Sequence, residues 1–172
     1  MRLSTRARYA LRMMLDIAKN NQGNRAVSLS SVAARTDLSR GYLEQLVVPL
    51  RNARLLRGVA GRNGGYRLCR APDEITLGEI IEAVIGPVCL VGCLEDPDSC
   101  LRTQYCECRL VYALINHRIA EVLHGFTLAD LLDPAWVRTT GAEVAQLSGL
   151  PVSSPVSPGC RLSRQGGLDD AH

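Results

Sequence analysis

Five of the seven cysteines in this 172-residue chain fall between residues 89 and 108, and they are the side chains best suited to chemistry. They run Cys89-x3-Cys93-x6-Cys100-x5-Cys106-x-Cys108. Structural zinc prefers paired CxxC knuckles or a His-x3–5-His partner, and neither accompanies these residues. Longer, looser spacing suits iron–sulfur ligation, where thiolates wrap a bulky cluster rather than one ion. Arg102 and Arg109 favour the thiolate form and offset a cluster's negative charge, whereas Glu95, Asp96 and Asp98 act in the opposite sense. Zinc and a thiol–disulfide switch stay open as alternative uses of the same thiols. Cys69 reads as an inert buried thiol, and Cys160 as incidental to a polar tail.

Something must position that loop, and the charge distribution says what stands beside it. Residues 1–70 hold 14 of the 20 Lys+Arg and three acids, a net +11, while residues 71–172 hold six bases and 14 acids, a net −8. A basic half joined to an acidic half points to polyanion binding by the first. Lys19 is the one lysine, so the basic half offers guanidinium groups suited to bidentate phosphate and guanine contacts. Aromatic residues make up 4% of the chain, too few for a base-stacking platform. No secretory signal follows the early arginines, and the apolar stretch 83–94 is too short to span a bilayer, so a cytoplasmic protein with reduced thiols is expected.

The pattern predicts a mainly α fold with a small β-hairpin. Residues 4–20 place Tyr9, Ala10, Met13, Met14, Ile17 and Ala18 on one helical face. Ser28 caps a second helix to Thr36, and Ser39 caps a third after a break at Asp37-Leu38, which gives helix-turn-helix spacing. Pro49 kinks or splits that third helix. Two short strands about Gly61-Arg-Asn-Gly-Gly65 form a hairpin placed as a wing, with Arg57, Arg62 and Arg67 on it. Thr76-Leu-Gly-Glu79 is a capping box opening a helix that ends at Gly86-Pro87. A long helix from Arg109 to Gly125 carries Val111, Leu114, Ile115, Ile119, Val122 and Phe126, a stripe suited to packing on a second copy. Thr127-Leu-Ala-Asp130 opens a last short helix. The organisation is then a winged helix-turn-helix over 1–70, a connecting helix over 71–87, a cysteine loop over 88–108, a dimerisation helix and short helix over 109–138, and a disordered tail over 139–172.

Taken in order, Met1-Arg-Leu-Ser-Thr-Arg-Ala-Arg-Tyr-Ala10, Ser39-Arg-Gly-Tyr-Leu-Glu-Gln-Leu46, Gly61-Arg-Asn-Gly-Gly-Tyr66, Thr76-Leu-Gly-Glu-Ile80 and the cysteine loop before Thr127-Leu-Ala-Asp-Leu131 resemble the IscR/NsrR-type winged-helix regulators of the Rrf2 family. The resemblance covers residues 1 to about 134. It implies a homodimeric transcription regulator that binds an inverted-repeat operator in double-stranded DNA. It also implies sensing of iron, redox state or nitric oxide through an iron–sulfur cluster. The family's three cysteines fall on Cys93, Cys100 and Cys106. Relatives complete the site with a histidine where this chain has Arg109, or with an acid where it has Arg8. Cys108 or Cys89 is left to supply a fourth thiolate, and the cluster is 4Fe–4S or 2Fe–2S. The interval Cys93 to Cys100 is one residue longer than is common, so Cys89 is also an alternative first ligand. The DNA readers implied are Ser39, Arg40, Tyr42, Glu44 and Gln45 on the recognition helix and Arg62 on the wing. Arg2, Arg6, Arg51 and Arg54 are phosphate contacts or solvated charge. Glu44 accepts from a cytosine amino group or is a plain surface acid.

Two other classes compete. A cluster-free regulator would use the thiols for zinc or a disulfide, and an iron–sulfur electron carrier would leave the basic half unexplained. No Ser-His-Asp ordering, phosphate-binding glycine loop or paired-carboxylate constellation suggests an enzyme, a small-molecule substrate or a membrane role.

Overall fold

The architecture is built from capped helices whose caps are visible one by one in a computed structural model that describes residues 3–21, 23, 25–100, 102 and 105–148. Ser4 accepts from the Ala7 N–H at 3.1 Å and starts α1, Thr5–Asn20. This helix buries Ala7, Ala10, Met13, Met14 and Ile17, the apolar stripe of its sequence. Ser28 starts α2 (Leu29–Thr36), and Ser39 starts α3 (Arg40–Asn52) by accepting from the Tyr42 N–H at 3.3 Å. Between them Asp37 takes a left-handed conformation, φ 56°, so the chain reverses direction within three residues. Pro49 lies inside α3, which runs on to Asn52 without splitting. Four buried side chains, Leu43, Leu46, Val47 and Leu50, clamp the helix on both sides of the proline and offset its missing backbone donor.

Strands β1 (Leu56–Val59) and β2 (Gly65–Leu68) pair antiparallel with Leu56 opposite Leu68 and Val59 opposite Gly65. The wing does not stand alone. Val27 and Tyr66 exchange two backbone hydrogen bonds of 2.8 Å each, which stitch the hairpin to the residue just before the Ser28 cap. Helix α4 (Leu77–Ile85) opens on the expected capping box, with the Thr76 N–H donating to Glu79 Oε2 at 2.9 Å and the Glu79 N–H to Thr76 Oγ1 at 3.2 Å. It ends at Gly86, φ 86°. One-turn helices at Gly92–Leu94 and Pro97–Ser99 punctuate the loop leading to α5 (Glu107–Gly125), which is followed by α6 (Leu128–Leu132). A second capping box, Thr127 with Asp130, sits beside the first, because Thr76 and Thr127 form a bridge and Leu77 N–H donates to the Phe126 carbonyl at 2.9 Å. One apolar core joins α1, α3, α4, the base of the hairpin and Leu128. The fold class read from the sequence, mainly α with a small hairpin and a winged helix-turn-helix, is the one observed.

The chain divides into two units, 1–133 and 134–172. The described part of the second is a helix, α7 (Pro134–Ser148). Here the expectation of a disordered tail from residue 139 needs correction as far as residue 148. Residues 139–148 hold one glycine and no proline, so Pro134 at the first helical position opens a helix that nothing stops before Gly149-Leu-Pro151. The rest of that expectation, with Cys160, lies outside the described residues, as does Arg2. No described helix is long and apolar enough to cross a membrane.

The Thr76–Glu79 box also makes stability pH-dependent. Burial pushes the Glu79 carboxyl up. The Thr76 N–H and the Arg70 guanidinium, 2.7 Å from Glu79 Oε1, outweigh burial and hold it below the ordinary carboxylate range. A depressed folded pKa stabilises the fold above the unfolded value and is lost as pH falls through the folded one. Glu79→Gln is therefore expected to cost about 1 kcal/mol at neutral pH. Denaturant titrations should show that cost shrinking as pH falls below the ordinary glutamate value of about 4.3.

Candidate nucleic-acid interface and cysteine loop

Because α3 buries residues 43, 46, 47 and 50, helical geometry turns Arg40, Gly41, Glu44, Gln45 and Val48 to the opposite, exposed side. The structure thus places Arg40, Glu44 and Gln45 on one stripe, with Ser39 at its leading end. Arg40 and Glu44 are paired at 3.0 Å, with side chains 67% and 53% exposed. Glu44 is accordingly held by its neighbour one turn away, and its second carboxylate oxygen is the one left to accept from a base. The Ser39 hydroxyl oxygen is spent on the cap, which leaves its hydrogen to donate outward. Tyr42 is half-buried, its ring edge-on to Tyr9 with centroids 5.7 Å apart, so its position is set by α1. Arg12 lies over the Tyr9 ring at 5.9 Å. Val48, 58% exposed on the same stripe, was missed in the sequence because a valine at a helical position reads as core. Arg6, Arg51 and Arg54 are exposed; Arg62 stands at the exposed wing tip, while Arg67 is half-buried.

The helix-turn-helix is braced from behind. Arg35 on α2 donates to both carboxylate oxygens of Asp16 on α1, at 2.8 and 2.7 Å. That hydrogen-bonded charge raises the guanidinium's pKa above its ordinary value. Such a two-pronged contact fixes α2 in direction as well as distance.

The cysteine loop lies between α4 and α5 and is fastened to the latter at two points. Arg109 Nε donates to the Cys93 carbonyl at 3.3 Å, and the Leu90 N–H donates to Asn116 Oδ1 at 3.0 Å. The Arg109 N–H also reaches the Cys106 carbonyl at 3.1 Å, so one residue holds the Cys93 turn against the start of α5 where Cys106 is the cap. Cys89, Cys93 and Cys106 are half-buried and Cys100 and Cys108 exposed, with no disulfide among them. The Cys89 thiol donates to the Val91 carbonyl at 3.0 Å. Cys108, in the first turn of α5 two residues past Cys106, leaves the helix in a different direction. Five soft donors, four on the loop and its junction with α5 and the fifth, Cys108, in the first turn of α5, none sealed in the core, suit an iron–sulfur cluster in chemistry. Among the described residues, however, no three His, Cys, Asp or Glu side chains converge as a metal site. The other expected thiol, Cys69, is half-buried at the end of β2 and lines a groove with Arg57 and Arg70 rather than being enclosed in the core. His117 pairs with Glu121 on the exposed side of α5, and His124 bridges Thr76 and Glu82 of the connecting-helix region.

Comparison with known proteins settles what this arrangement belongs to. The family model for Rrf2, described as an iron-dependent transcriptional regulator, matches residues 3–134. The chain belongs to the Rrf2 family. The HTH-type transcriptional regulator CymR of Bacillus subtilis is 42% identical over 131 residues, 76% of this chain and 89% of that protein. The solved structure of that protein, described as the global cysteine regulator of B. subtilis, superposes with a TM-score of 0.62 at 41% identity, over 76% of this chain and 95% of that one. IscR of T. potens superposes with a TM-score of 0.64 at 36% identity, over 78% of this chain and 88% of that one. The oxidized form of Staphylococcus aureus CymR has a TM-score of 0.59 at 37% identity, over 76% of this chain and 95% of that one. This Rrf2 chain is a helix-turn-helix transcriptional regulator and not an enzyme, as its relatives are.

Proposed function

We propose that this Rrf2 regulator is a cytoplasmic homodimer that reads an inverted-repeat operator and sets its DNA affinity through an iron–sulfur cluster on the cysteine loop. One observation carries the reading: four thiols on a loop that Arg109 and Asn116 fasten to α5, and a fifth in the first turn of α5, lie beside a helix with no buried residue of its own. The iron-dependent description of the family and the presence of IscR among the relatives support it. Cys93, Cys100 and Cys106 hold the cluster, with a fourth thiolate from Cys108 or Cys89. Bound there, the group supplies a redox- and iron-responsive centre. The chain's own residues do the rest. Ser39, Arg40, Tyr42, Glu44 and Gln45 enter the major groove, with Val48 offering apolar contact to a thymine methyl; Arg62 enters the minor groove, and Arg2 and Arg51 meet phosphates. Helix α5 pairs with its copy and spaces the two reading heads to the half-sites. A change in the loop reaches that spacing through the Arg109 and Asn116 contacts.

The test compares cluster-loaded and chelator-stripped protein on its own promoter DNA, anaerobically. Affinity is expected to differ at least tenfold between the two states, and equal affinity, or no binding above that to unrelated DNA, overturns the proposal. A second reading, a cluster-free thiol–disulfide switch, is favoured by the oxidized form in which a relative was solved and by the dispersed thiols seen here.

A further inference from the structure

A groove opens between the wing tip and the start of α2, lined among others by Arg25, Ser28, Ser31, Arg35, Arg62 and Asn63, and by no carboxylate. Its charge is not spread evenly. Arg35 is spent on Asp16, which neutralises it. Arg25 and Arg62 are exposed, and neither has a hydrogen bond or ion pair within the described residues. The hydroxyls of Ser28 and Ser31 bond each other at 2.9 Å, and the Ser31 N–H donates to Ser28 Oγ at 3.1 Å. Whichever hydroxyl donates in that pair, one O–H remains over. The N-terminal end of α2, positive by its dipole, borders the same groove. Two uncommitted guanidinium groups and a spare hydroxyl around an acid-free groove are the donor set of a phosphate seat.

We propose that this groove seats a DNA phosphodiester flanking the minor groove that Arg62 enters, with Arg25 as its cationic partner. The inference rests on the DNA-binding reading above and adds to it a residue outside the helix-turn-helix and the hairpin. Arg25 then contributes affinity and register but no sequence preference, since a phosphate carries none.

The probe is a mixed-sequence duplex of roughly 30 base pairs, titrated by fluorescence anisotropy over a range of salt concentrations. One phosphate contact releases about 0.9 counterion and a dimer brings two copies of Arg25, so Arg25→Gln is expected to flatten the log–log salt slope by about 1.8 and to weaken binding roughly 60-fold at about 0.1 M salt. Arg25→Lys keeps the charge and is expected to keep the slope, and Arg138→Gln, exposed on α7, should leave it unchanged. A wild-type slope for Arg25→Gln overturns the assignment and leaves the DNA-binding reading standing. Failure of the wild-type protein to bind the duplex at low salt overturns both.

Discussion

Replacing Ile115 with glutamate is expected to separate the protein into well-folded monomers that no longer hold a two-half-site operator. Helix α5 is 19 residues long, about 28 Å, and none of its residues is buried. Leu110 is 75% exposed, Leu114 57% and Ile115 43%, with Val111 and Val122 on show as well. A patch of that size is costly in water, and each such side chain returns about 1.5–3 kcal/mol when covered. The intrachain core contains no α5 residue, so a charge at position 115 leaves it intact. The expected loss therefore falls on association rather than folding. Linking two half-site readers multiplies affinity by roughly 10²–10⁴, and the variant should lose about that factor on the full operator. It should keep the weak, salt-dependent affinity of a single head. Light scattering reads the mass and anisotropy the binding; a dimeric Ile115→Glu protein with unchanged operator affinity would remove α5 from the interface.

The second large effect is expected at Gly65. A Cβ built there would stand 2.3 Å from the Val27 carbonyl oxygen and 2.8 Å from the Ser28 nitrogen, at φ 156°. These are backbone atoms: the Val27 oxygen accepts one of the two hydrogen bonds that stitch the wing to the entrance of α2, and the Ser28 nitrogen is the next backbone atom along. Neither partner can rotate aside, so Gly65→Ala must break the Val27–Tyr66 bridge or shift the Ser28 cap. A loss of roughly 3 kcal/mol is expected, a fall in Tm of roughly 6–12 °C for a chain of this size. Gly41 is the contrast, since its Cβ would meet nothing within 4 Å and the residue lies inside α3. Gly41→Ala should raise stability by about 0.5–1 kcal/mol. Equal melting temperatures for the two variants would contradict this account of the wing.

What could be seen in the sequence was the local physics. Ser28, Ser39, Thr76 and Thr127 announce helix starts through a hydroxyl three residues before the amide it accepts from, and all four cap as their positions require. The stripe Ala10, Met13, Met14 and Ile17 is core for the same local reason. Contacts between distant residues were not legible. Pro49 read as a kink or a split because proline chemistry is local, while the packing that carries α3 on to Asn52 comes from other elements. The tie between Val27 and Tyr66 spans 39 positions and made Gly65 obligatory for a reason that no turn rule states. Arg25 was one cation among many until the wing folded over against it. In the cysteine loop the donor types were plain from the first residue count, but the Arg109 and Asn116 fastenings depend on where α5 lies.

The central claim, that these thiols serve a cluster, is tested most directly by counting metal. Protein purified anaerobically should carry iron and acid-labile sulfide in stoichiometric amounts, with a visible absorption band. Cys93→Ala, Cys100→Ala and Cys106→Ala should each bleach it, and of Cys89→Ala and Cys108→Ala the one that also bleaches identifies the fourth ligand. Colourless protein after reconstitution, holding zinc or no metal and indifferent to those substitutions, would contradict the claim and leave a winged-helix regulator that uses its cysteines as a switch.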